Sequence, residues 1–325
     1  MIGMRVLLVG SGGREHSLAW ALASSDKCEA LFCAPGNGGI QDYAEIVNIK
    51  AEDVDALATF AKENNIDLVV AGPEAPLVEG LADKVKAHGI PCFGPDKAAA
   101  QLEGSKGFMK DIVAKYGVPT AAYGRFTDFE SAKNFIENTP SKVVVKTDGL
   151  AAGKGVIMCE GKEDAIEAAR GMLEEASFGD AGAEIVIEEF LDGEELSYFA
   201  LSDGKNILPF TSAQDHKRAF DGDEGPNTGG MGAYSPAHLM TPELEDKILK
   251  TIIEPTVKGM ADDGIPFTGV LFAGIMVVDG EPKLLEYNIR FGDPECQPIM
   301  CRLQGDLLEI LYAAATGKLD DIKDH

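Results

Sequence analysis

The chain has 325 residues, 45% of them hydrophobic, with 29 Lys+Arg against 54 Asp+Glu and a formal net charge of −25. A chain of this length can bury substantial cores and divides into two or three compact units, while so acidic a balance opposes the counterion release that nucleic-acid binding needs, which argues against DNA and RNA as partners. No stretch approaches the roughly 20 apolar residues of a membrane span, and the six cysteines include no C-x-x-C pair, so a cytoplasmic protein with reduced thiols and no membrane partner is expected.

In the first hundred residues the runs MRVLLVG (4–10), EALFCAP (29–35), EIVNI (45–49), DLVVAGP (67–73) and IPCFGP (90–95) read as strands. Between them SLAWALASS, EDVDALATFAKEN and VEGLADKVKAHG carry apolar residues at helical spacing. This alternation predicts an α/β class with a doubly wound parallel sheet, whose ligands gather beyond the C-terminal strand ends. The loops there are GSGGREH, APGNGG and AGPEAP.

The pattern changes after Lys97. SKGFMKDIVAKYG (105–117) reads as a helix leading into a smaller α+β unit, with strands in KVVVKT (142–147), GVIMCE (155–160) and AEIVIEEF (183–190). A second sheet follows, from ELSYFALSDG (195–204), NILPFTSA (206–213), GVLFAGIMVVDG (269–280) and KLLEYNIR (283–290). Within it DGDEGPNTGGMGAYSP (221–236) reads as a long mobile loop, because its glycines and prolines carry almost no hydrophobic residues.

GSGGREH joins a strand to a helix, so its N–H groups can cradle an anion at the helix start. A dinucleotide fingerprint would need Gly where Glu15 stands, and an acidic residue after the second strand, where the sequence has APGN. A tight turn alone would explain the glycines; Arg14, where a carboxylate is normally preferred, favours a phosphate ligand. KTDGLAAGKGV (146–156) is not a Walker loop, since three residues separate Gly149 from Gly153-Lys154 and Gly155 replaces the Ser or Thr. It is either an ordinary hairpin or a turn that folds over triphosphate oxygens, with Lys146 on the incoming strand. Lys106 alone could equally be a solvated helix lysine, and EEFLDGEELS (188–197) a solvated acidic link or an adenine-edge connection with Glu195 towards ribose hydroxyls.

The sharpest pattern is KLLEYNIRFGDPECQ (283–297). Glu286, Asn288 and Arg290 alternate and face one way, with Tyr287 and Ile289 facing the other. A carboxylate beside an amide oxygen suits a hard cation such as Mg²⁺, and the arginine suits a phosphoryl or carboxylate group. A polar edge strand would show the same spacing, but not the full string through RFGDPE.

Together GSGGREH, AGPEAPLV, SKGFMK, VVVKTDGLAAGKGV, IEEFLDGEELS, AQDHKR, GPNTGGMGAYSP and EYNIRFGDPECQ resemble, in order and over nearly the whole chain, the motifs of the phosphoribosylamine–glycine ligase family of ATP-grasp enzymes. The resemblance implies a pre-ATP-grasp domain (1–103), a linker helix (104–119), and small (120–190) and large (191–325) ATP-grasp subdomains. It implies ATP with Mg²⁺ or Mn²⁺, and glycine and 5-phosphoribosylamine as substrates, joined through glycyl phosphate into glycinamide ribonucleotide in purine biosynthesis. Lys106 and Lys146 match the family's phosphate-contacting lysines, Glu188, Leu191 and Glu195 its adenine and ribose hinge, and Glu286 and Asn288 its metal ligands. Gly12, Gly13, Arg14, Asn37, Gly38, Gly72, Pro73 and Glu74 fall where phosphoribosylamine is expected. Asp215, Lys217, Arg290 and Asp293 face triphosphate and substrates, with Lys146, Arg290 and Asp215 as the catalytic set. Other ATP-grasp enzymes carry a further acidic metal ligand on the strand before EYN, where this sequence has LFAGIMVV, so more water in the metal shell is expected. Family members continue into a C-terminal domain, whereas this sequence stops at DDIKDH. It is therefore expected to be a fragment, a natural truncation, or one part of a pair completed by a separate C-terminal domain or chain. Another ATP-grasp carboxylate–amine ligase and an inactive nucleotide-binding homologue are the alternatives.

Overall fold

The structure is a computed structural model that describes residues 3–139, 142–149, 155–175, 183–222 and 224–322. The first unit contains strands β1 (Met4–Gly10), β2 (Cys28–Pro35), β3 (Glu45–Ile46), β4 (Leu68–Ala71) and β5 (Cys92–Phe93). They form a parallel sheet in the order β3-β2-β1-β4-β5. The central strand alternates into two cores: Leu7 and Val9 join one hydrophobic cluster, Val6 and Leu8 the other, and all four are fully buried. Helices α1 (Gly13–Ala23), α2 (Val54–Glu63), α3 (Ala75–Val78), α4 (Leu81–Lys86) and α5 (Lys97–Gly104) accompany it. The helical run VEGLADKVKAHG is broken at Gly80, whose φ of +93° no other side chain adopts readily, so α3 and α4 are separate.

Helix α6 (Lys106–Lys115) begins with Ser105 accepting from Phe108 N, and leads into β6 (Tyr123–Phe126) and α7 (Phe129–Asn138). Then come β7 (Val143–Thr147), β8 (Val156–Met158), α8 (Lys162–Leu173) and β9 (Ile185–Glu189). These four strands make an antiparallel sheet, β6-β9-β7-β8, with a core of its own that includes Phe129, Ile136, Val145, Ala165 and Ile187.

The third sheet runs β14-β11-β10-β15-β16 and is antiparallel. The elements of this part of the chain, in order, are β10 (Glu194–Asp203), β11 (Ile207–Asp215), then β12 (Arg218–Phe220) and β13 (Glu224–Asn227), which make a two-stranded sheet of their own, then β14 (Ala233–Tyr234), α9 (Pro242–Ile248), α10 (Glu254–Asp262), β15 (Thr268–Val278), β16 (Glu281–Asn288), α11 (Cys296–Arg302) and α12 (Leu307–Ala315). Tyr198 and Ala200 of β10 belong to the same cluster as Leu7, and Phe199 and Leu201 to the same cluster as Val6. The first and third sheets thus share continuous cores, while the small sheet stands on its own.

The segment 221–236 departs from the loop expected of it. β12 and β13 pair as a hairpin, β14 pairs with β11 through Gln214 and Asp215, and Met231 N donates to His216 O at 2.8 Å. Its order comes from backbone pairing with β11 and β12 and from polar side chains, with Thr228 Oγ1 donating to Lys217 O at 2.9 Å and Ser235 Oγ to Ser212 O at 2.7 Å, and not from hydrophobic alternation. Among the described residues no helix is long and apolar enough to cross a membrane.

Candidate active site

Two adjoining cavities of about 290 and 270 Å³ form one cleft, because Val156, Lys217 and Glu286 line both. One end is apolar, built from Val144, Met158, Leu191, Met276 and Leu285, with Glu188 and Glu195 at its wall. The other is charged: Lys106, Lys217, Glu286, Asn288, Arg290 and Asp215 line it, with Asp293 and Glu74 from the direction of the first sheet.

The EYNIR alternation is carried by β16. Glu286 and Asn288 line the cleft, while Tyr287 is 2% exposed and donates from its hydroxyl to Ile252 O at 3.0 Å. Arg290 lies just past the strand end, where its Nη2 donates to Asn288 Oδ1 at 3.0 Å. Burial pushes the Glu286 carboxyl up, but Lys146, Lys217, Lys106 and Arg290 outweigh it and hold its pKa below the ordinary carboxylate value. Burial lowers the Lys106 pKa, with Lys146 adding to the effect and Glu286 opposing it.

Lys106 is fixed by a contact between two motifs. Asp148, of the TDG turn, accepts at Oδ1 from Gly107 N at 2.5 Å, and its carbonyl accepts from Lys106 N at 3.1 Å. Lys146 comes from β7 and lies 2.9 Å from Glu188. Glu188 is 2% exposed and also faces Lys110 Nζ at 3.2 Å, so its side chain holds two lysines in place beside the apolar end of the cleft. Lys110 ends the SKGFMK string but is not among the expected site residues; burial lowers its pKa to about 8. Lys217 pairs with Glu195 across the cleft wall.

Asp215 and Glu295 form an acidic corner of the charged end. Burial, with Glu295 the next cause, pushes the Asp215 carboxyl up to about 6, and burial also raises Glu295. Glu103, at the end of α5, is a further wall residue outside the motifs; burial pushes it up to about 7 although Arg290 opposes the rise. No local pattern marks Glu103, while Lys110 ends the SKGFMK string and Glu295 ends RFGDPE.

The first-sheet residues cluster at the C-terminal strand ends without lining the cavities, except Glu74. Asn37 bridges two loops, donating to Ser11 O at 2.9 Å and accepting from Gly39 N at 2.8 Å. Gly12 N donates to Glu15 at 2.6 Å, and a side chain at Gly13 would run into Gln297. Gly72 and Pro73 follow β4, and a Cβ on Gly72 would collide with Glu15. Gly38 has open space around it. Arg14 is 8% exposed, and its guanidinium already donates to Glu15 at 2.5 Å and to Phe291 O at 3.0 Å. Asp293 accepts from Arg14 N at 3.1 Å, which joins these loops to the charged end of the cleft. Most of the turn expected between Gly149 and Gly155 lies outside the described residues.

The sequence matches the family model "Phosphoribosylglycinamide synthetase, N domain" over residues 4–103 and "Phosphoribosylglycinamide synthetase, ATP-grasp (A) domain" over residues 104–296. The chain belongs to the phosphoribosylglycinamide synthetase family. A phosphoribosylamine–glycine ligase of Brucella melitensis is 58% identical over 319 residues, which is 98% of this chain and 74% of that relative. The crystal structure of the Thermotoga maritima phosphoribosylamine–glycine ligase is similar with a TM-score of 0.85 and 32% identity, over 96% of this chain and 75% of that one. A biotin carboxylase from Campylobacter jejuni shares the fold at 17% identity, with a TM-score of 0.78 over 99% of this chain and 74% of that one. The α/β architecture of this synthetase family therefore accounts for the parallel first sheet and the antiparallel sheets that follow it in the chain.

Proposed function

We propose that the protein ligates glycine to 5-phosphoribosylamine with ATP, giving glycinamide ribonucleotide, ADP and phosphate in purine biosynthesis. The observation that carries the reading is the single cleft with an apolar end flanked by Glu195 and a charged end lined by Lys106, Lys217, Glu286, Asn288 and Arg290. Membership of a synthetase family with an ATP-grasp domain supplies the reaction class. Its working parts are taken as residues 1–103, 104–119, 120–190 and 191–325, a division supported by the separate core of the small sheet.

A carboxylate oxygen is a poor leaving group, so glycine has to be activated before an amine can displace it. The purine ring fits the apolar end, Glu195 accepts from the ribose hydroxyls, and the triphosphate runs past Lys146 and Lys106 towards Arg290. The glycine carboxylate attacks the γ-phosphorus in line, and Lys146, Lys217 and Arg290 take up charge on the transferring group. The amine of phosphoribosylamine then attacks the acyl carbon of glycyl phosphate, and phosphate leaves. Asp215 and Glu295 line the same end and favour positively charged amino groups there. The loops bearing Gly12, Gly13, Arg14, Asn37, Gly38, Gly72 and Pro73 are assigned to the phosphoribosyl group, with Glu74 and Asp293 between them and the cleft.

Glu286 and Asn288 fit a hard divalent cation, Mg²⁺ or Mn²⁺. Both offer oxygen to the cleft, and Glu286 stays ionised in spite of its burial. Among the described residues no group of three or more acidic, His or Cys side chains is arranged for a metal, so phosphate and water oxygens would complete its shell. Bound there, the ion would supply charge neutralisation to the triphosphate.

The test is ADP release by the purified chain. Release that requires both glycine and phosphoribosylamine is expected; release with another carboxylate or amine in their place, or none with the pair, overturns the reading.

A further inference from the structure

β16 loses its sheet partner at Asn288, which pairs with Phe272, so the backbone beyond needs another source of hydrogen bonds. Glu103 provides it from the end of α5. Its Oε2 accepts from Ile289 N at 2.8 Å and its Oε1 from Arg290 Nη2 at 3.0 Å. Ile289 stands between Asn288 and Arg290, so one carboxylate ties down both the peptide at the strand end and the guanidinium that follows it.

Arg290 has a second acidic partner, Glu74, whose Oε2 accepts from Nε at 3.2 Å. The two partners differ in their freedom. The Glu103 side chain is 9% exposed, against 28% for Glu74. An anion arriving at Arg290 can displace the more exposed Glu74 towards solvent, whereas Glu103 is held by its bond to Ile289 N.

We infer that Glu103 is a positioning residue for the ligation: it fixes the end of β16 so that Arg290 and Asn288 stay aimed into the charged end of the cleft, without touching substrate itself. This rests on the proposed role of Arg290 at the transferring phosphoryl group. Two acceptor oxygens are needed. A glutamine can keep the Ile289 bond but turns N–H groups towards the guanidinium, and alanine loses both contacts.

The experiment compares ADP release, at about pH 8.5 where an ordinary or moderately raised carboxyl is ionised, by the unsubstituted chain, Glu103→Ala, Glu103→Gln, Arg290→Lys and the double variant Glu103→Ala/Arg290→Lys. Misplacing Arg290 is expected to lower kcat about tenfold or more in Glu103→Ala, with KM for ATP within about twofold, because the purine end of the cleft is remote from Glu103. Glu103→Gln is expected to fall between. In the Arg290→Lys background, Glu103→Ala should add less than about twofold, as befits a residue acting through another. Full multiplication of the two losses, or a folded Glu103→Ala whose kcat stays within about twofold, overturns the inference; if the alanine variant does not fold, the same limit applied to Glu103→Gln decides. Hydrogen exchange at Ile289 N, faster in Glu103→Ala than in the unsubstituted chain, is expected as well, and unchanged exchange in that variant also overturns the inference. That measurement needs no turnover, so a chain that shows no ligation would count against the proposed function and leave Glu103 to be judged separately.

Discussion

Lys146 Nζ stands 2.9 Å from one Glu188 carboxylate oxygen, and the pair is all but closed to solvent, the two side chains being 8% and 2% exposed. The other Glu188 oxygen faces Lys110 Nζ at 3.2 Å. One buried anion therefore serves two buried cations, and the two ends of this arrangement respond differently to substitution. Lys146→Ala leaves a balanced Glu188–Lys110 pair, so it is expected to fold with a stability loss of about 2 kcal/mol at most, while ATP turnover falls tenfold or more, to order of magnitude. Glu188→Gln leaves two lysines without their counter-ion and is expected to cost about 3 kcal/mol or more. Urea melts beside ADP-release assays separate the two, and normal ATP use by Lys146→Ala would remove this lysine from the triphosphate.

Arg14 links the first sheet to the loop after β16 through Glu15 and Phe291 O. Arg14→Ala leaves Glu15, 2% exposed, without its cation, so a stability loss on the order of 3 kcal/mol is expected. KM for phosphoribosylamine should rise while KM for ATP stays within about twofold, because the loop at Ser11–Gly13 is remote from the apolar end. Equal rises in both constants would show that Arg14 serves the whole cleft and not the first-sheet loops.

The raised pKa of Asp215 sets a pH dependence with a definite sign. Its carboxyl titrates at about 6 in the folded chain against an ordinary value of 3.8. Between those values the folded state holds a proton that the unfolded state has released, so this residue's contribution to stability falls as pH rises through that window. Asp215→Asn removes the group, and its melting temperature is expected to gain on the unsubstituted chain as pH rises from about 4 to about 6. A constant difference across the window would show that Asp215 is not perturbed.

The sequence made the sheets and the β16 face legible because both rest on local periodicity. Val6 to Val9 alternate between two cores, and Tyr287 turns inward where Glu286 and Asn288 turn to the cleft. What it concealed depends on distant partners. Glu103 meets Ile289 across 186 residues of chain, and Lys110 meets Glu188 through a helix face that reads as ordinary. The bond from Arg14 to Phe291 O likewise spans 277 residues and leaves no local mark. The segment 221–236 reads as loop because no hydrophobic alternation marks β13 or β14; pairing with Arg218–Phe220 and Gln214–Asp215 gives them their form.

Glu286→Gln keeps the shape of the side chain and one oxygen but removes the charge that Lys146, Lys217 and Lys106 surround. With no second acid on β15 beside it, kcat is expected to fall on the order of a hundredfold, with partial recovery as magnesium is raised. The variant should still fold, since the carboxylate lines the cleft, but with a lower melting temperature, because the surrounding lysines lose the anion they share. Near-normal activity at low magnesium would show that Glu286 holds no metal.

Activation of glycine by transfer of the γ-phosphoryl group to its carboxylate can be followed through the fate of one oxygen. With both carboxylate oxygens of glycine labelled as ¹⁸O, attack on the γ-phosphorus places one labelled oxygen in the bridge of glycyl phosphate, and amine attack then releases it with the phosphate. Mass spectrometry of the phosphate formed with phosphoribosylamine and unlabelled ATP should find a single ¹⁸O per molecule and the other retained in the amide product. Phosphate free of label, formed in step with glycinamide ribonucleotide, would contradict the account.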